Sequence, residues 1–184
     1  GLHQSTGNAG GKRFESLNDL CAAIERGADA FAQIRGSGKY GAINGTVLFY
    51  GLEDFVIVRA DISGLPTGAS CDEPVFAFHI HSGGECAGNE TDPYANAGMH
   101  YNPGNCTHPY HAGDMPPLFG VGGKAFSMFM TDRFRVPEII GKTVIIHAKR
   151  DDFTSQPSGD SGDKIACGII RASQQRRNSN GIRI

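Results

Sequence analysis

Six of the chain's seven histidines fall between positions 79 and 147, and their spacing restricts the fold more than any other feature. They occupy four short stretches: FHIH at Phe78–His81, MHYNP at Met99–Pro103, HPYHAGD at His108–Asp114 and IIHAKRDD at Ile145–Asp152. Any fold that uses them together must bring four separated segments to one place. Imidazole is the commonest protein ligand for zinc and copper. Four histidines could fill a copper site, and three histidines with an aspartate could fill a zinc site. Such a pair needs seven ligands with one shared, and this window offers six histidines and Asp114.

The segments around the histidines read as short strands. Ala30–Ile34, Gly45–Tyr50, Phe55–Ile62, Val75–His81, Ala125–Met130, Lys142–His147 and Lys164–Arg171 alternate apolar and polar residues with period 2. Gly, Asn and Asp punctuate them. The 26 glycines and nine prolines suit many turns. Regular short strands of this kind predict an antiparallel sandwich or Greek-key barrel. One helix is predicted over about 16–26, from Ser16 and Asp19 to a stop at Gly27. Its apolar stripe, Leu17, Leu20, Cys21 and Ile24, accounts for the Cys21 thiol by packing. Segments 82–122 and 148–163 read as long functional loops bounded by the histidines.

With 184 residues and a net charge of -2, the chain is expected to form one domain with a sizeable core. The charge gives no sign of a nucleic-acid partner. Arg176, Arg177 and Arg183 stand in a C-terminal stretch without acids, read as a solvated tail. No apolar run reaches the roughly 20 residues that span a bilayer, and no signal-peptide core is seen. A cytoplasmic location is expected if the chain is complete, and a secreted or periplasmic one if it is processed. The five cysteines, at 21, 71, 86, 106 and 167, are odd in number, so at least one is unpaired or pairs between chains.

On the Val75–His81 strand, Phe76, Phe78 and Ile80 face the core. His79 and His81 then project together from the other face, ~7 Å apart along the backbone. In the HPYHAGD stretch, two residues separate His108 from His111 and two separate His111 from Asp114. A tight turn brings such side chains to one side, and imidazole and carboxylate are both good zinc ligands. His100 and His147 complete the set.

Taken together, the FHIH strand, the HYNP turn, HAGDMPPL, GKTVIIH and ACGII resemble the copper–zinc superoxide dismutase family over about residues 29–171. The resemblance implies an all-β, eight-stranded Greek-key barrel or sandwich (immunoglobulin-like) with long metal-binding loops and a short N-terminal helix. It divides the chain into an extension over 1–28, a dismutase-like domain over 29–173 and a basic tail over 174–184. It implies copper bound by His79, His81, His100 and His147. It implies zinc bound by His100, His108, His111 and Asp114, with His100 as the bridge. Asp151 would hold His79 and His108 in orientation. Cys86 and Cys167 would form the family's disulfide, with the Cys86 spacing of the bacterial branch. The implied activity is antioxidant: conversion of superoxide to oxygen and hydrogen peroxide by copper redox cycling. Zinc would be a fixed charge, and His100 would release copper and carry a proton in the cycle. A homodimer is a common arrangement in the family.

The chain departs from the family pattern in three places. The segment between His108 and His111 is short, so zinc is expected to be weaker or His108 to fall out of reach. Lys164 stands where the family places an anion-guiding arginine. It keeps the charge and loses the planar fork; Lys149 and Arg150 add local positive charge, while Asp160 and Asp163 oppose it. Cys71 and Cys106 lie outside the pattern and could pair with each other, associate with a metal or remain free. These departures leave two alternatives to a copper–zinc enzyme: a non-catalytic copper or zinc binder on the same fold, and a copper-only dismutase.

Overall fold

The structure is a computed structural model that describes residues 15–174. The polar N-terminal residues and the arginines of the basic tail lie outside the described residues. Among the described residues, eight strands and two short α-helices run in the order α1 Leu17–Arg26, β1 Ala30–Gly36, β2 Asn44–Gly51, β3 Val56–Ser63, β4 Val75–His81, β5 Asp114–Phe119, β6 Ala125–Thr131, α2 Val136–Ile139, β7 Thr143–His147 and β8 Lys164–Ala172. The strands form one antiparallel sheet in the order β5-β4-β7-β8-β1-β2-β3-β6. The sheet curls until its two edges, β5 and β6, approach each other, giving a nearly closed Greek-key barrel.

Alternation along the strands fills the barrel. Phe76, Phe78 and Ile80 of β4 pack with Val144 and Ile146 of β7, Phe49 of β2 and Val58 of β3 in the main core. Burial of each such side chain contributes about 1.5–3 kcal/mol. The outer face of β4 and β7 is covered as well. Tyr94 and Ala97, from the segment after β4, pack with Ile145 and Cys167 in a second cluster joined by Cys86. His79 is therefore fully buried rather than on a half-exposed face.

The Cys86–Cys167 disulfide fastens this covering segment to β8. It closes a sequence separation of 81 residues, which in the chain-entropy account constrains the unfolded chain by about 4–5 kcal/mol. Cys21, Cys71 and Cys106 are free and exposed, so the second disulfide is not formed. Cys71 precedes the start of β4, where the Gly120 N–H bonds Pro74 O. Cys106 follows His100, which is bridged to His81 at the other end of the same strand. In the chain the two cysteines thus flank opposite ends of a strand about 20 Å long.

Helix α1 begins where the Ser16 N–H donates to the Asp19 carboxylate at 2.8 Å, and it ends at Gly27 with φ +90°. It docks on the barrel through Leu20, Ala23 and Ile24 against Tyr50 and Ile57. Leu17 and Cys21 point to solvent. The docking face is thus rotated from the expected stripe, and packing does not account for the Cys21 thiol.

Strand β5 lies inside the segment expected to be loop. Pro116 and Pro117 argue against a central strand, but β5 is an edge strand, where a missing N–H costs little.

Candidate metal centre

Strands β4 and β7, the first residue of β5 and the two long loops build the site. His79 and His81 leave β4 on its outer face, and His147 leaves the end of the neighbouring β7 on the same face. The β4–β7 ladder sets their relative height, with His79 opposite Ile145 and His81 opposite Thr143. His100 is pinned to the end of β4 by main-chain bonds. The Ser82 N–H donates to Met99 O at 2.8 Å, and the Tyr101 N–H to Ile80 O at 2.8 Å. Gly113 closes the loop against the same strand, with the Ile80 N–H donating to Gly113 O at 2.8 Å. A Cβ on Gly113 would lie 2.2 Å from Ile80 O, so only glycine permits this approach.

One ligand atom from each of His79, His81, His100 and His147 lies within 4.8 Å of the others. Atoms of His79, His100, His108 and Asp114 meet the same limit. His111 joins the second group, its Nδ1 standing 3.2 Å from His100 Nδ1 and 3.2 Å from Asp114 Oδ2. His79 Nε2 is already bound to Asp151 Oδ2 at 2.8 Å, so His79 has one nitrogen left. That nitrogen fits the first group, because His100, His108, His111 and Asp114 offer a four-ligand set without it.

The hydrogen bonds fix which nitrogen of each ring is available. His81 Nδ1 donates to Gly98 O at 2.7 Å, and His147 Nδ1 donates to Gly162 O at 3.3 Å. Each Nε2 therefore carries a lone pair, and the two Nε2 atoms stand 3.3 Å apart. Lone pairs at that distance repel unless a cation lies between them. Two nitrogens ~2.0–2.1 Å from one ion at a tetrahedral angle are also ~3.3 Å apart. His79 Nδ1 and His100 Nε2 are buried without a hydrogen-bond partner. Four ring nitrogens thus face one place with nothing else to bind, which fits an ion held by imidazoles.

On its other side, His100 Nδ1 lies 2.8 Å from Asp114 Oδ1. His108 Nδ1 is 3.0 Å from Asp114 Oδ2, close but without a hydrogen bond. The short segment between His108 and His111 does not keep His108 out of reach, and this donor set fits a second ion. Asp151 joins the two halves. Its Oδ2 accepts from His79 Nε2, and its Oδ1 accepts from His108 Nε2 at 2.7 Å.

Electrostatics keep the donors ready. Burial pushes the His79 imidazole down to about 4 despite its bond to Asp151. Burial and the neighbouring His79 push His147 down to about 3. Burial, His100 and His147 hold His81 well below the usual histidine value. Burial alone would raise Asp151, but hydrogen bonds from His79 and His108 outweigh it and lower the carboxyl strongly. Asp114 is lowered too, its burial outweighed by His100 and His108. At neutral pH His79, His81 and His147 offer lone pairs and the aspartates negative charge, the state in which ligands bind metal.

Lys164, the expected guiding cation, faces His147 across the β7–β8 ladder. Its Nζ is held 2.6 Å from Asp92 Oδ2. Lys149, Arg150, Asp160 and Asp163 are exposed in the adjoining loop. Sequence reading missed Asp92, and it missed Gly159. Gly159 has φ +75°, and a Cβ there would lie 2.0 Å from Asp151 Oδ1 and 2.7 Å from His108 Nε2. Neither residue belongs to a local pattern that could have marked it.

A curled Greek-key barrel carrying a histidine-rich, two-ion centre under a disulfide-tied loop defines a metalloprotein class. A family model described as copper/zinc superoxide dismutase matches residues 43–170. A Cu-Zn superoxide dismutase of Deinococcus radiodurans is 31% identical over 150 residues, covering 72% of this chain and 79% of that protein. One from Legionella pneumophila is 30% identical over 151 residues, covering 78% and 87%. An extracellular Cu-Zn superoxide dismutase of Schistosoma mansoni is 34% identical over 142 residues, covering 68% and 72%. The chain belongs to the copper/zinc superoxide dismutase family.

Proposed function

We infer that the protein is a superoxide dismutase that uses copper and zinc. The observation that carries this reading is the His100 ring, with one nitrogen beside Asp114 and His111 and the other buried and unpartnered. One imidazole can thereby serve two ions. His79, His81, His100 and His147 are proposed to hold copper, and His100, His108, His111 and Asp114 to hold zinc.

The reaction turns two superoxide anions and two protons into oxygen and hydrogen peroxide. Copper, when bound, supplies one-electron redox chemistry, and zinc supplies a fixed positive charge. The chain does the rest. Lys164 attracts the anion toward His147. His81 and His147 keep their tautomers through Gly98 O and Gly162 O. His100 would hold one proton at Nε2 when that nitrogen is free of copper and give it to the departing peroxide, the second proton coming from solvent, while its Nδ1 stays on the Asp114 side. Asp151 keeps His79 and His108 in register.

No observation favours a non-catalytic metal binder or a copper-only enzyme, since His108, His111 and Asp114 all reach His100. Among the described residues, no helix is long and apolar enough to cross a membrane. The disulfide and the extracellular Schistosoma mansoni relative support an oxidising compartment. A second copy of the chain is a partner that the family resemblance implies, and sedimentation equilibrium tests it.

Superoxide decay followed by pulse radiolysis on protein loaded with one copper and one zinc tests the activity, with the zinc-only form as blank. The expected result is copper-dependent decay approaching the diffusion ceiling. Decay no faster than the blank, with copper bound, would overturn the reading.

A further inference from the structure

The segment that carries His108 and His111 is braced within itself, where the Asn102 side chain pairs with the Cys106 main chain, and it is also held from outside. The Gln156 side chain, from the loop between β7 and β8, grips the main chain of His108 at both ends. Its Oε1 accepts the His108 N–H at 2.9 Å, and its Nε2 donates to His108 O at 2.8 Å. The main-chain N–H can only donate and the carbonyl can only accept, so this pairing fixes the amide orientation. Nε2 also donates to Thr154 O at 3.2 Å, which ties the amide to its own loop. Arg133 adds a second hold, its Nη1 donating to Pro109 O at 2.7 Å and to His111 O at 3.3 Å.

We propose that Gln156 is a positioning residue for the zinc half of the centre. It fixes the His108 main chain from the opposite loop, so that this short segment presents His108 and His111 to one ion. The proposal rests on the assignment of His108, His111 and Asp114 to zinc made above.

The geometry separates this role from that of Asp151. Asp151 takes the His108 ring at Nε2 and also takes His79, so its loss reaches both ions. Among the described residues Gln156 hydrogen-bonds the His108 main chain and Thr154 O and none of the side chains assigned to copper, so its loss is expected to fall on zinc. An amide pair that mimics one rung of a β-ladder leaves the ring nitrogens untouched. Its effect is therefore on where His108 sits, not on its basicity.

The test is metal affinity by chelator competition, with copper and zinc measured separately on the full chain and on Gln156→Ala and Gln156→Glu. Gln156→Ala is expected to weaken zinc about 10- to 100-fold, the usual effect of removing a group that orients a ligand. Copper affinity and the thermal midpoint of the metal-free protein should stay as in the unaltered chain. Gln156→Glu keeps the acceptor for the His108 N–H and turns an oxygen toward His108 O, so it should weaken zinc as well. Cobalt(II) in the zinc position gives a second readout, because the intensity of its visible bands reports tetrahedral order. That intensity should fall in both variants. Unchanged zinc affinity and cobalt bands would overturn the proposal. So would equal losses of zinc, copper and metal-free stability, which mark a general structural role. If the unaltered chain itself binds no zinc, the zinc assignment fails first and the proposal falls with it.

Discussion

Lys164 Nζ lies 2.6 Å from Asp92 Oδ2, with Lys164 directly across the β7–β8 ladder from His147. Lys164, the proposed guiding cation, is therefore anchored to the segment that the disulfide ties down. Burial would raise the Asp92 carboxyl, but the bond from Lys164 outweighs it and lowers the group. The Lys164 side chain is 17% exposed, so its field still reaches solvent. Lys164→Glu replaces attraction by repulsion and leaves two carboxylates facing each other. Superoxide decay should slow by roughly tenfold or more at low salt. Added salt should then raise the rate instead of lowering it. Pulse radiolysis across ionic strength measures both, and a variant as fast as the parent would remove Lys164 from the steering role.

Asp151 accepts from His79 with one oxygen and from His108 with the other. Asparagine has one oxygen and one NH2, so Asp151→Asn can satisfy only one ring. One imidazole then loses its orientation and some of its basicity. Metal affinity should fall about 10- to 100-fold in at least one half of the centre, as read by competition with chelators. Unaltered affinity for both metals would show that the bridge is dispensable.

Gly159 sits against that bridge with φ +75°. Gly159→Ala puts a methyl where Asp151 Oδ1 now is and forces a left-handed conformation, at a cost of about 1–2 kcal/mol for the backbone alone. The same loop must shift, and Asp151 with it. The thermal midpoint of the metal-free protein should drop by several degrees, and zinc affinity should fall alongside. A variant with neither change would mean that the loop yields freely.

The metal-free protein should be sensitive to mild acid. His79 near 4 and His147 near 3 lie below the ordinary 6.5 because burial disfavours their charged forms. Between those values and 6.5 the unfolded chain holds protons that the folded chain does not, so stability rises with pH there. It is complete above about pH 6.5 and is lost as pH falls toward 4 and 3. Each such group contributes roughly 1.4 kcal/mol per pH unit across its window. Asp151 and Asp114, both lowered, extend the loss below pH 4. Urea midpoints at pH 7, 5.5 and 4.5 should decline in that order for the metal-free form. A flat series would contradict the burial account.

The sheet and the histidines were legible because both are periodic. Val75–His81 was readable to its ends, since alternation fixes which side chains share a face. Strand β5 was not, because Pro116 and Pro117 disguise an edge strand whose partner lies far along the chain. The helix was placed correctly, but its buried side was not, because the docking face depends on where Tyr50 and Ile57 lie. Gln156, Asp92 and Gly159 left no trace in the sequence. Each acts on a residue 43 to 72 positions away, or on the bridge that joins such residues. No window of neighbours encodes that.

The two halves of the centre differ in what must move to open them. His79, His81 and His147 stand on β4 and β7, whose rungs are part of the barrel itself, so their backbones move only with the sheet. His108 and His111 hang on a loop clasped by side chains, and such a loop opens by local fluctuation far below the free energy of global unfolding. The second ion should therefore exchange with its surroundings many times within the residence of the first. The identity of the metal on the loop side would follow what the surroundings offer, while the sheet side keeps what it first acquired.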